Sequence, residues 1–137
     1  MDDQGTVDRS DDSISGFRSR GPTNGGRYKP DVAAAGNHNS AIGGILSTFI
    51  NGDYARLAGT SMVTPHVAGA LAFIRAAGAQ VGLAAKAVLL NSAYNTKSGW
   101  QSDSGWGFVD LSQASAQVND YFRASASTRK PNLYAGT

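Results

Sequence analysis

The sequence contains no cysteine, no glutamate and few aromatic residues. Without cysteine the chain forms no disulfide, no thiolate metal site and no cysteine nucleophile. All 10 acidic residues are aspartate, which favours turns and helix caps over helix interiors, so a helical bundle or coiled coil is disfavoured. No apolar run reaches the roughly 20 residues of a membrane span, and Met1-Asp2-Asp3 is not the basic start of a signal peptide. The sequence therefore predicts no membrane partner and leaves the localisation unknown.

The charge balance gives little sign of a polyanionic partner. The net charge is +2, and the basic residues are scattered rather than arranged in a stripe, so no nucleic acid partner is expected. A length of 137 residues suits one hydrophobic core, and 17 glycines indicate close backbone packing. We therefore predict a single domain over residues 1–137, with flexible ends at residues 1–11 and 124–137.

Strand patterns come first along the chain. We predict short strands at residues 13–17 and 31–35, separated by a loop rich in glycine and proline. Residues 45–50 and 54–57 flank Asn51-Gly52, a dipeptide that readily takes the two positive φ angles of a type I′ turn. The pattern predicts a β-hairpin there.

Helical patterns follow the hairpin. Residues 60–77 are apolar on every side of a helix, which is typical of a buried helix. A second helix is predicted over residues 83–94. Asp110 with Gln113 resembles a capping box that opens a third helix, ending near Phe122.

The chemically informative segment is Gly59-Thr60-Ser61-Met62-Val63-Thr64-Pro65-His66-Val67-Ala68-Gly69. It places Ser61 at the start of a helix, directly after a hairpin. The unpaired N–H groups of a first helical turn can stabilise an oxyanion that forms when a serine hydroxyl attacks a carbonyl. On the spacing alone, a plain N-cap at Thr60 or Ser61 is the commoner interpretation.

This segment resembles the nucleophile motif of the subtilases, the subtilisin-like serine proteases, written G-T-S-M-A-T-P-H-V-A-G. Only Val63 differs. Further segments similar to the family follow in family order, so the resemblance covers roughly residues 12–115: residues 12–17, 19–23, 29–33, 45–48 and 105–110. The sequence departs from the family at Arg18, at Ala35 and in the asparagine-rich connection over residues 36–44.

The resemblance implies that Ser61 is the acylated nucleophile, that its backbone N–H is an oxyanion donor, and that Thr60 and Met62 support this site. It also implies an α/β fold, a partial subtilisin-like α/β/α sandwich in which short strands and a hairpin precede a buried central helix and two further helices. The family's D-[ST]-G, H-G-T-H and oxyanion asparagine segments are not found before Asp12. We therefore expect the chain to correspond to the C-terminal half of the catalytic domain.

The two histidines are the candidates for a catalytic base. His66 points to a different side of a regular helix from Ser61, and the resemblance implies that it is structural and buried. His38 lies in the 36–44 connection, where a flexible backbone or a neighbouring subunit could bring it to Ser61; a solvated loop histidine is the alternative. Four aspartates could orient such a base, of which Asp110 is favoured as a helix cap: Asp31, Asp53, Asp103 and Asp110. Neither histidine has the close partners of a metal site, so no metal or cofactor is expected.

Two functions remain open. The first is a serine hydrolase that acts through Ser61, on esters rather than peptides, because an amine leaving group needs a positioned general acid. The second is a catalytically inactive half domain that self-associates or needs an N-terminal half to supply the missing Asp, His and Asn. A helix that is apolar all round needs cover, so a homo-oligomer is expected in either case.

Overall fold

A computed structural model of the chain describes residues 1–38, 43–78, 82–95 and 97–124. Among these, an antiparallel hairpin of β1 (Ile45–Thr48) and β2 (Tyr54–Leu57) precedes three helices: α1 (Thr60–Ala76), α2 (Leu83–Asn91) and α3 (Leu111–Ala124). The predicted α/β class and the order of hairpin and helices are confirmed. Most of the predicted flexible C-terminal end, from residue 125 onward, lies outside the described residues.

The hairpin turn forms at the predicted dipeptide. Asn51 and Gly52 have φ angles of 61° and 81°. The N–H of Asp53 donates to the Ile50 carbonyl oxygen at 3.3 Å, which closes a type I′ turn. The N–H of Phe49 also donates to the Asp53 carbonyl oxygen, at 2.7 Å. Phe49 and Ile50 therefore both lie opposite Asp53, so that Ile50 is one residue more than a regular hairpin needs. Strand β1 ends at Thr48, two residues before the predicted end at Ile50.

The core lies among the three helices. Its fully buried large side chains are Ile74 of α1, Val88 of α2 and Val118 of α3. Small residues fill the helix contacts around them and let the backbones approach closely. The remaining buried members of this cluster are Ala70, Ala85, Leu89 and Ala114.

One side of α1 is not part of this core. Only Ala70 and Ile74 of the helix are buried, and Phe73 is 45% exposed. The prediction that α1 is buried all round is therefore wrong for this structure. Helices α2 and α3 pack against one side of α1, and among the described residues nothing covers the opposite side.

The two strands predicted before the hairpin are reduced to single bridges. Asp2 pairs with Ser13, and Ala33 pairs with Phe108. In the partner segment, Gly105 and Gly107 come shortly before Phe108, and their φ angles of 65° and 132° interrupt its extended conformation. A regular ladder therefore cannot propagate, although Ala33 itself is buried as predicted.

The segment that contains Phe108 also determines where α2 ends. The helix stops at Asn91 rather than at residue 94. Tyr94 instead exchanges two backbone hydrogen bonds with Phe108, of 2.8 and 2.7 Å. This pairing holds the chain after α2 against the segment that leads into α3.

Asp110 caps α3, as the sequence predicts. Its Oδ1 accepts the N–H of Gln113 at 3.0 Å, and its other carboxylate oxygen pairs with the Arg9 guanidinium. Burial acts to raise the pKa of Asp110, but the hydrogen bonds from Arg9 and from the Gln113 N–H outweigh it and hold the pKa below its usual range. The first residues of the chain thus contact the start of the last helix.

None of the helices among the described residues combines the length and the apolar character that crossing a lipid bilayer requires.

Candidate functional site

Ser61 is the second residue of α1 and its side chain is exposed. The N-cap of the helix is Gly59, so neither Thr60 nor Ser61 serves as the N-cap residue. No described residue forms a hydrogen bond with the Ser61 hydroxyl or accepts one from its N–H. The N–H of Met62 is occupied, because it donates to the Gly59 carbonyl oxygen at 3.1 Å. At this helix N-terminus, Ser61 is thus exposed, and neither its hydroxyl nor its N–H has a hydrogen-bond partner among the described residues.

A close backbone contact positions the first turn of α1. The N–H of Gly59 donates to the Gly36 carbonyl oxygen at 2.9 Å. A Cβ atom on Gly36 would lie 2.7 Å from Cγ2 of Val63. Only glycine therefore fits at position 36, and the segment that contains it packs directly on the turn that carries Ser61.

Proline in α1 leaves the carbonyl of Ser61 without its usual partner. Pro65 lies four residues after Ser61 and has no N–H to donate. One residue earlier, the Thr64 hydroxyl donates to the Thr60 carbonyl oxygen at 3.2 Å. The carbonyl oxygen of Thr60 therefore has a hydrogen-bond donor. Met62, on the other side of Ser61 in the sequence, is half-buried.

His66 does not interact with Ser61. Its Nδ1 lies 2.7 Å from the carbonyl oxygen of Met62, one turn earlier in α1. The side chain is exposed, so the expectation of a buried histidine is wrong here, because no described residue covers that part of the helix. The ring is instead satisfied by its own helix.

His38 is paired with an aspartate that the sequence did not single out. Its Nδ1 lies 2.8 Å from Oδ1 of Asp3, and the His38 side chain is 39% exposed. Asp3 belongs to the N-terminal segment, residues 1–11, that the sequence analysis predicts to be flexible. The two residues are 35 positions apart, and no local pattern signals a contact of this range.

The four aspartates considered from the sequence make other contacts. Asp31 pairs with Lys29 and Lys86, Asp103 pairs with Arg18 at 3.7 Å, Asp110 pairs with Arg9, and Asp53 lies in the hairpin turn. Burial acts to raise the pKa of Asp31, but its hydrogen bonds with the two lysines outweigh this and lower the pKa. The four carboxylates therefore lie in different parts of the structure and contact different residues.

The described residues provide no group of three histidine or acidic side chains that could hold a metal ion. Two cavities, of about 230 and 210 Å³, lie away from α1. The first is formed by the glycine- and proline-rich loop, with Lys29 in its wall, and the second lies between Arg9 and Phe108. Ser61 is not among the residues that line either of these two cavities.

The comparisons with known proteins agree with the motif. Serine protease AprX of Bacillus subtilis (strain 168) is 39% identical over 82 residues, covering 54% of this chain and 19% of that protein. The C5a peptidase of Streptococcus pyogenes is 44% identical over 62 residues, covering 45% of this chain and 5% of that protein. The chain thus spans about a fifth or less of the length of these relatives.

A solved structure shares the fold. The CspB protease of Clostridium perfringens matches with a TM-score of 0.54 at 30% sequence identity, covering 67% of this chain and 21% of that one. The profile of the Subtilase family matches residues 5–107, which is most of the chain. With this match and the geometry around Ser61, the resemblance found in the sequence is confirmed: the chain belongs to the Subtilase family.

Proposed function

We propose that the chain is a serine hydrolase that acts by acyl transfer through Ser61. The observation that supports this is the exposed Ser61 hydroxyl, which has no partner among the described residues and lies beside an unoccupied N–H at the start of α1. A helix N-terminus carries partial positive charge, so it stabilises negative charge that develops on an attacked carbonyl oxygen. The protease relatives support hydrolysis as the class of reaction.

The same arrangement favours esters over peptides as substrates. As Ser61 Oγ bonds to the ester carbonyl carbon, its hydroxyl proton passes to solvent, the C–O bond breaks and the alkoxide or phenolate leaves. Water then hydrolyses the acyl-serine, which releases the acid and restores the Ser61 hydroxyl. An ester oxygen leaves without prior protonation when it is activated, whereas an amine needs a positioned general acid. Met62 is half-buried next to the nucleophile, so its oxidation to the polar sulfoxide would disturb this site.

The proposal is tested with p-nitrophenyl butyrate and a fluorophosphonate probe on the purified chain. We expect steady release of p-nitrophenol, and covalent phosphonylation of the peptide that contains Ser61, detected by mass spectrometry. Turnover should fall in proportion to the fraction of Ser61 labelled, because one group performs both reactions. Labelling at another residue, or full turnover by completely labelled protein, would show that Ser61 is not the nucleophile.

A second candidate function rests on the exposed side of α1. Five small or apolar residues on this side of the helix are exposed, and we call them the open face: Pro65, Ala68, Gly69, Ala72 and Phe73. At about 100° per residue, Pro65, Ala68 and Ala72 lie within about 40° of Ser61 around the helix, and Gly69 and Phe73 continue this face to one side. A second polypeptide bound there would cover the helix, and the candidate is a half domain that self-associates or needs an N-terminal half to supply Asp, His and Asn.

Substitution of Phe73 tests self-association. We expect the wild-type chain to exceed the 14.2 kDa monomer mass in light scattering at micromolar concentration, and Phe73→Asp to scatter as a monomer. A carboxylate at the centre of an apolar contact would have to lose its water. Val7→Asp is the matched control, because Val7 is 102% exposed and lies outside the open face.

Two results would contradict this candidate. One is a wild-type chain that is monomeric at micromolar concentration, and the other is an equal effect of the Phe73 and Val7 variants on the mass. The form of the candidate that needs a separate N-terminal half makes a different prediction, namely no p-nitrophenyl butyrate turnover by the pure chain.

A further inference from the structure

The loop rich in glycine and proline forms a cavity of about 230 Å³. Its lining combines two cationic side chains with two hydroxyl groups, and none of the described residues that line it is acidic: Ser19, Arg20, Gly21, Thr23, Lys29 and Pro30. One water molecule takes about 30 Å³ of the liquid. The cavity therefore has room for a small organic molecule, and the charge of its lining favours an anion.

Backbone contacts hold the two walls of this cavity in place. The N–H of Gly21 donates to the Ser102 carbonyl oxygen at 2.8 Å. On the other wall, Nε1 of Trp100 donates to the Pro30 carbonyl oxygen at 3.0 Å. A Cβ atom on Gly21 would overlap the carbonyl oxygen of Lys29, so only glycine permits the walls to approach this closely. The cavity is thus formed before any ligand binds.

Arg20 supplies a cation that no described residue neutralises. It is exposed, and its side chain forms no ion pair or hydrogen bond with the part of the chain that the structure describes. The planar guanidinium carries its donors in a fixed fork that matches the two oxygens of a carboxylate. Arg20 can therefore bind an anion without first breaking a contact to another described residue.

Thr23 adds a hydrogen-bond donor to the cavity. Its Oγ1 accepts the N–H of Arg27 at 3.1 Å, which uses one acceptor position of the hydroxyl and leaves the proton to donate. The carbonyl oxygen of Thr23 accepts the N–H of Gly26 at 2.8 Å. The turn thus holds Thr23 in place while its O–H is available to a ligand oxygen.

Lys29 keeps the cavity positive although it already has an acidic partner. It pairs with Asp31, and the same carboxylate oxygen lies 3.1 Å from Nζ of Lys86. One negative charge is therefore shared by two ammonium groups, which leaves one positive charge. Arg20 adds a second positive charge on the other wall.

We propose that this cavity binds a small organic carboxylate, whose oxygens accept hydrogen bonds from Arg20, Lys29 and the Thr23 hydroxyl. Gly21 and Pro30 provide an apolar surface for the rest of the ligand. Binding here does not depend on the hydrolase function, because none of the lining residues belongs to α1. Inorganic phosphate would leave the apolar surface uncovered, so an organic carboxylate should bind more tightly.

Titration of the full chain with benzoate, followed by amide NMR spectra, tests the class of ligand. We expect saturable shifts at the amides of Gly21 and Thr23 and at the indole N–H of Trp100, whose acceptor is the cavity-lining Pro30. Benzamide has the same shape without the charge, so it should bind about tenfold more weakly or worse. Inorganic phosphate is the second comparison and should also bind more weakly than benzoate.

Substitution of Arg20 tests the role of the unpaired cation. Arg20→Gln should raise the dissociation constant for benzoate by about tenfold or more, because it removes a hydrogen bond between two charged groups. Arg27→Gln is the matched control, since Arg27 is an exposed arginine of the same loop that does not line the cavity. We expect this control to keep the wild-type affinity, and the amide spectra report whether each variant is folded.

Four results would overturn the proposal. Equal affinities for benzoate and benzamide would show that the cavity does not recognise the charge. Equal weakening by Arg20→Gln and Arg27→Gln would show that only the net charge of the protein attracts the anion. Tighter binding of inorganic phosphate than of benzoate would exclude an organic carboxylate as the preferred ligand. Benzoate shifts that are unsaturable, or that lie away from Gly21, Thr23 and Trp100, would show that this cavity is not the site.

Discussion

Ser61→Ala is expected to lower p-nitrophenyl butyrate hydrolysis to the rate of the ester in buffer, a loss on the order of 100-fold or more. The methyl side chain cannot form the acyl intermediate, although the N–H at the start of α1 remains. Fluorophosphonate labelling of the Ser61 peptide should disappear with the turnover. The measurement is initial rate against enzyme concentration for wild type and variant purified in parallel, which exposes any contaminating host esterase.

Ser112→Ala is the matched control for this result. Ser112 is the second residue of α3 and is exposed, just as Ser61 is the second residue of α1 and is exposed. The control removes a hydroxyl from the same position of a different helix. Equal rates for wild type and Ser112→Ala, with loss only in Ser61→Ala, assign the chemistry to the site. Equal rates for all three proteins would refute the proposed hydrolase.

Gly105→Ala should cause a large loss of stability, about 3 kcal/mol or more. Gly105 has a φ of 65°, and an added Cβ would lie 2.3 Å from the Asp31 carbonyl oxygen and 2.5 Å from that of Pro30. Both clashing atoms belong to the backbone, so they cannot move away by a rotamer change as a flexible side chain would. The substitution therefore forces apart the two segments that pair between Ala33 and Phe108.

Gly99→Ala is the control that separates the free-energy cost of the Cβ clash from the cost of placing alanine at a positive φ angle. Gly99 has a similar φ of 74°, but no atom lies within 4 Å of the position that its Cβ would take. We expect it to cost only about 1–2 kcal/mol, which is the penalty of a left-handed backbone for alanine. Urea denaturation midpoints measure both variants. Similar midpoints for the two would show that the predicted backbone clash is absent.

Local chemistry made several elements predictable. The positive φ angles of Asn51 and Gly52 belong to those residues in almost any hairpin, and the Asp110 carboxylate needs only the N–H groups that follow it to cap α3. The segment around Ser61 likewise predicted the start of α1. These features depend on residues close together in the sequence.

Features that depend on distant partners were missed. An apolar pattern predicts that α1 is buried only if something covers it, and Phe73 is exposed because no described residue lies there. The strand predicted around Ala33 is limited to one bridge by the glycines of its partner segment. The contact between Asp3 and His38 depends on how Met1 packs beside Gly36. None of these three features can be inferred from residues that are close together in the sequence.

The ion pair between Arg9 and Asp110 has a consequence for biosynthesis. The two residues are separated by 101 positions, so the guanidinium cannot reach this carboxylate until Asp110 has left the ribosome. Forming so distant a contact also requires closure of a long loop, which slows folding compared with local helix pairing. The contacts among α1, α2 and α3 close shorter loops, so we expect the helices to pack together before the N-terminal segment docks against Asp110.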